Sequence, residues 1–408
     1  MNEKLLRDYA RLIARMGGHV NKGDEVWINA QLDQPDFVTM VVEECYKAGA
    51  KFVSVNWSHN PAVKLSYKYA TVGELGRVSP YALAKYRYSA KKLPTVIHII
   101  SDDPDAMKGI NQKKMAKAKM KSYPKIKPFR EAMDGRYKWC IAAVPSKPWA
   151  EKVFPKLKGE EAINALWDAI LATSRVDGND PVENWNKHND FLFEKRKKLE
   201  SMDLRKLIYK DTNGTDFEVD LIPGINWGGG CEMCPNKGPF NPNIPSEEVF
   251  TSPMAGKCEG TLVASKPLSY NGQLIEDFSI TFKNGKAVSV KARKNQEALE
   301  QMIKMDEGAC MLGEVALIAY DSPISNTGIL FYETLFDENA ACHVALGAGF
   351  NDVVPDFANK TQEEIKALGI NDSMIHVDFM VGTKTLNIWG IDSKGKKTQI
   401  FKDGNWAI

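Results

Sequence analysis

Hydrophobic positions in the first two hundred residues alternate between two periods. Leu5, Leu6, Tyr9, Leu12, Ile13 and Met16 recur at helical spacing until Gly17-Gly18 ends the run. Residues 25–30 (EVWINA) then read as a strand, and a helix spans about Pro35 to Ala48. Short apolar strands follow at 51–57 (KFVSVNW), 95–101 (TVIHIIS) and 137–145 (YKWCIAAVP), each separated from the next by helix-like sequence. That alternation predicts an α/β domain with an open, mainly parallel sheet.

From about residue 203 the pattern changes to closely spaced strands and turns: RKLIYKD, DFEVDLI, TLVAS and SITFKNGKAVSVKA. Asn284-Gly285 between two alternating runs is a hairpin signal. Only residues 295–304 look helical before the segment around Glu314. The expected organisation is an N-terminal α/β domain over 1–202 and a C-terminal, β-rich α+β domain over 203–408, each large enough to bury its own core.

Composition narrows the class. With 43% hydrophobic and 26% charged residues the chain is an ordinary globular one, and a net charge of +2 gives no general field for nucleic acid. The basic stretch at 107–130, eight lysines and Arg130 with Pro124 and Pro128 near its end, reads as a solvated helix face because no nucleic-acid motif accompanies it. The start at Met1 lacks a signal-peptide pattern and no run of about eighteen apolar residues occurs, so neither export nor a membrane is expected and the cytoplasm is. Seven scattered cysteines read as reduced thiols, and the Cys231/Cys234 pair, without a second pair, as loop cysteines.

Candidate chemistry concentrates in the second half. Of six histidines, His19, His59, His98 and His188 have packing or surface explanations, whereas His343 lies in the acid-rich segment FDENAACHVALG and His376 precedes Asp378 in IHVDFMVG. On a strand, residues two apart share a face, so His376 and Asp378 present an imidazole and a carboxylate together, half of a site for a divalent metal. Such a pair alone is more often packing. Glu314, inside CMLGEVALIAY, is a carboxylate in apolar surroundings, where an unpaired charge would cost several kcal/mol, so a positive partner is required. Glu247 and Glu248 stand at the head of a strand in NPNIPSEEVFTSP.

These blocks, NIPSEEVFTSP, GACMLGEVALI, LFYETLFDENAACHVALG and HVDFMVGT, resemble in order those of the M29 metalloaminopeptidases, the group that includes aminopeptidases T and S, and the resemblance runs from the opening to the DGNWA ending. It implies a two-domain metallopeptidase acting on peptides, a homodimer, with two divalent ions (zinc, cobalt or manganese) in the C-terminal domain. The implied metal ligands are Glu248, Glu314, His343, His376 and Asp378. Three carboxylates and two imidazoles bring about −3 against +4 for two cations, which leaves the site able to hold a hydroxide and a peptide carbonyl.

Two positions complicate the expectation. Phe350 stands where the family usually carries a tyrosine that helps stabilise the tetrahedral intermediate, so either another group such as Tyr332 substitutes or activity is weakened. Glu247 is a candidate general base beside Glu248, which would require irregular backbone because neighbouring strand residues face opposite ways. The rival readings are a weakened family member that binds metal or peptide, and a two-metal peptidase or amidase of other specificity.

Overall fold

The computed structural model describes residues 2–270 and 272–408. The chain forms two compact units, one of residues up to Lys187 with Cys231–Ile244, the other of His188–Gly230 with Pro245–Ile408. Among the described residues no helix is long and apolar enough to cross a membrane.

The first unit is built on a five-stranded sheet of β1 (Glu25–Gln31), β2 (Phe52–Ser58), β3 (Thr95–Ile100), β4 (Trp139–Ala143) and β5 (Asn243–Ile244), in the order β2-β1-β3-β4-β5. All neighbours pair in parallel, as the alternation of strands and helices predicts. Val26, Ile28 and Ala30 of β1 are buried on one face, and Tyr9 of the helix Glu3–Leu12 and Phe37 of the helix Pro35–Lys47, stacked 5.4 Å apart, belong to the same core. The basic stretch forms a helix over Gln112–Met133 that runs through Pro124 and Pro128 instead of ending before them. Both prolines are exposed and four residues apart on one face, so the carbonyls that lose a donor turn to water.

The second unit contains two antiparallel sheets. The larger has nine strands among the described residues, with Asp216–Leu221 and Leu204–Lys210 near its middle. Its hairpin at Asn284-Gly285 closes with both residues at positive φ (51° and 74°), the conformation a two-residue primed turn needs. The smaller sheet consists of β6 (Val249–Thr251), β7 (Leu312–Leu317), β8 (His343–Gly347) and β9 (His376–Met380), in that order. Val315, Leu317, Val344, Leu346 and Phe379 of the small sheet share one apolar core with Leu207, Tyr209, Phe217, Val219 and Ile280 of the large one. Period-two alternation therefore commits one face of the small sheet to the core and delivers the residues between to the other face.

Candidate metal centre

Register decides which side chains meet on that second face. Glu314 pairs with Ala345 and Ala345 with Asp378, so the two acids flank a small residue in one row across three strands. In the adjacent rows Ala316 faces His343 and Gly347 faces His376. Directly opposed residues point the same way, and so do residues two apart on a strand. Glu314, His343, His376 and Asp378 consequently converge on one face, with Ala316, Ala345 and Gly347 leaving space between them. Glu248 enters from the irregular segment just before β6.

The distances define two groups. Glu248, Glu314 and His343 offer donor atoms all within 4.8 Å of one another, and so do Glu314, His376 and Asp378. Glu314 belongs to both: its Oε1 lies 3.9 Å from His343 Nε2 and its Oε2 3.2 Å from His376 Nε2. Glu248 Oε2 is 3.4 Å from His343 Nε2, and Asp378 Oδ1 is 3.2 Å from His376 Nε2. Glu248, Glu314, His343 and Asp378 are buried, and His376 keeps 28% of its side chain exposed.

Both imidazoles are oriented from behind. His343 Nδ1 donates to the carbonyls of Glu338 (2.9 Å) and Ala341 (3.3 Å), and His376 Nδ1 donates to that of Ala348 (2.8 Å). A carbonyl only accepts, so Nδ1 carries a proton in both rings and Nε2 is the nitrogen that faces the acid cluster, where a cation would take the place of a second proton, the arrangement that metal-bound histidines use. Asp378 Oδ1 is buried without a hydrogen bond.

The electrostatics point the same way. Burial raises the Glu314 carboxyl above its usual range, and Asp378 adds to the shift against the pull of the histidines. Burial alone would favour neutral His376, yet Asp378 and Glu314 hold its pKa well above the ordinary value. Asp378, which burial would push up, is held low by His376 and His343. A pocket that draws a proton onto an imidazole demands positive charge, and three carboxylates with two oriented imidazoles fit divalent cations.

The remaining candidates lie around this cluster. Glu247 directs its carboxylate to within 3.8 Å of His188 Nε2. The ring of Phe350 packs 4.8 Å from that of His376 and 4.9 Å from that of Phe250. Tyr332 lies in a loop whose backbone N–H groups bond to Asp337. One acid went unrecognised in the sequence: Glu338, in the helix Thr334–Glu338, is pushed well above the usual carboxylate range by burial and then by the charges of Asp378, Glu248 and Glu314. Its signal was the acid-rich segment ahead of His343, five residues upstream of that histidine.

Fold and donor set together define a metalloenzyme of the two-unit α/β type. The chain belongs to the thermophilic metalloprotease (M29) family, whose characteristic sequence it matches over residues 2–406. It is 38% identical to aminopeptidase AmpS of Bacillus subtilis (strain 168) over 404 residues, 99% of this chain and 98% of that protein. It is 37% identical to aminopeptidase 2 of Geobacillus stearothermophilus over 407 residues, covering 100% and 98%. Among solved structures, wild-type AmpT from Thermus thermophilus superposes with a TM-score of 0.91 at 33% identity, with all of both chains covered.

Proposed function

We infer that the protein is a metal-dependent aminopeptidase holding two divalent cations, one by Glu248, Glu314 and His343, the other by Glu314, His376 and Asp378. The observation that carries this reading is the pair of donor triads sharing the buried Glu314, each of whose oxygens faces a different imidazole. Two divalent cations supply Lewis acidity and make a water a competent nucleophile near neutral pH. Carboxylate and imidazole donors suit zinc, cobalt or manganese.

The chain's own residues then have distinct tasks. Ala348, Glu338 and Ala341 hold the imidazoles in one tautomer through their carbonyls. Glu338 belongs to neither triad; bound cations would offset the neighbouring negative charges that hold its proton, and the ionised carboxylate would then take a proton from the attacking water and return it to the leaving amine, whereas Glu247, turned toward His188, is less well placed. Glu247 and Glu338, the acids outside the two triads, add negative charge beside the donor set, which suits a free α-ammonium group and favours N-terminal residues of peptides over internal bonds. Odd, scattered cysteines suit a reducing compartment such as the cytoplasm, and a homodimer is the assembly the resemblance implies.

The test compares matched peptides with free and acetylated N-termini on protein of measured metal content. Acetylation is expected to lower kcat/KM by about 10²-fold or more, since a site built for a charged group rejects an analogue lacking it. Equal cleavage of both, or full activity in metal-free protein, would overturn the reading.

A further inference from the structure

Glu248 is the member of the donor set that no strand of the small sheet carries. Residues 246–248 run as irregular chain, yet Ser246, Glu247 and Glu248 are all buried. Their backbone groups therefore need partners other than a sheet ladder or bulk water. Two distant side chains supply them. His188 Nε2 donates to the Ser246 carbonyl at 2.7 Å, and the Glu247 N–H donates to Oδ1 of Asn339 at 2.8 Å.

That carbonyl and that N–H belong to one peptide bond. In a trans peptide they point in opposite directions, so the plane is gripped at both edges and its rotation about the line between the two Cα atoms is stopped. The ψ of Ser246 and the φ of Glu247 are then fixed together, and with them the direction in which the chain presents Glu248.

Both clasps are themselves well seated. Asn339 is fully buried, and its amide NH2 donates to Leu335 O at 2.9 Å, which sets its Oδ1 toward Glu247. The same turn carries the Glu338 carbonyl that orients His343. Asn339 thus ties the Glu248 segment to the support of His343, a second ligand of the same triad. A third side is closed by Gly229, at φ +120°, where a Cβ would lie 2.1 Å from the Glu248 carbonyl oxygen. His376 and Asp378 stand instead within β9, whose register is set by its ladder to β8.

We propose that His188 and Asn339 are positioning residues that clamp the Ser246–Glu247 peptide and so assemble the Glu248–Glu314–His343 site, while the Glu314–His376–Asp378 site forms without them. The proposal rests on the two-cation reading. It assigns separate supports to the two ions, which predicts that one can be lost without the other.

The experiment measures Zn²⁺ stoichiometry and affinity by calorimetric titration and elemental analysis on full-length wild type, Asn339→Leu, His188→Leu, His188→Gln and Asp378→Asn. Wild type is expected to bind two ions. Asn339→Leu and His188→Leu should each keep one and bind the other about 10–100-fold more weakly, the usual effect of removing an outer-shell partner. Adding Asp378→Asn to either should remove the remaining ion, and His188→Gln, which restores a donor to the Ser246 carbonyl, should recover the second. If Asn339→Leu does not fold, as judged by circular dichroism of the metal-free protein, the His188→Leu and His188→Gln pair carries the test. Unchanged affinity for both ions in His188→Leu, equal weakening of both, or failure of His188→Gln to recover binding would overturn the clamp. Fewer than two ions on wild type would instead defeat the two-cation reading beneath it.

Discussion

Phe350 shows how far a single residue can be read. Its backbone N–H donates to Ser252 Oγ at 2.8 Å and its ring packs on His376, so the ring sits beside the donor set. If a phenol is what the chemistry uses there, Phe350→Tyr should raise kcat by up to about 10²-fold, the scale of one oxyanion donor, and leave KM nearly unchanged because the bond forms only in the transition state. Steady-state kinetics at matched metal loading measures this; an unchanged or lower kcat would show that the missing hydroxyl does not limit the enzyme. The same scale explains what the sequence disclosed. His343 and His376 stood out because acids or small residues accompany them within their own strands. His188 and Asn339 did not, because their partners are backbone groups 58 and 92 residues away, and a backbone group leaves no mark in a sequence.

At the scale of elements, the small sheet turns strand parity into a site. HVALG on β8 alternates His343, Ala345 and Gly347 toward the donors with Val344 and Leu346 toward the core. HVDFM on β9 repeats the pattern, which is why a His-x-Asp spacing was interpretable before the fold was known. Pairing register was not readable, since nothing in either segment states that Ala345 lies between Glu314 and Asp378. Adjacent residues of β8 should therefore fail in different ways. Ala345→Leu inserts a branched side chain between two donors and should abolish binding of the ion held by Glu314, His376 and Asp378. Val344→Ala removes core volume on the opposite face, and should cost about 1–3 kcal/mol of stability with both ions retained. Metal analysis and urea unfolding on the two variants distinguish these outcomes, and loss of metal in Val344→Ala with an intact site in Ala345→Leu would contradict the parity.

At the scale of the whole molecule, the parallel sheet and the change of rhythm near residue 203 follow from hydrophobic period, whereas the strand Asn243–Ile244 does not. It is two residues long, stands between Pro242 and Pro245, and has no periodicity to betray that it extends the first sheet beside β4. All five proposed donors belong to the second unit, and this has a consequence for stability. Without cations the pocket holds several buried carboxylates at close range, a situation that costs several kcal/mol when the charges are left uncompensated. Ion binding to the folded protein alone contributes about 4 kcal/mol at a free concentration 1,000 times Kd. Chelation should therefore reduce hydrogen-exchange protection by up to about 10³-fold in β6, β7, β8 and β9, and leave the amides of β1, β3 and β4 near their original rates. Exchange mass spectrometry on the intact chain, with and without chelator, reads both units in one sample. A uniform loss of protection across both would mean that the ions stabilise the chain as a single cooperative body, and no change in β7 to β9 would remove the cations from that face altogether.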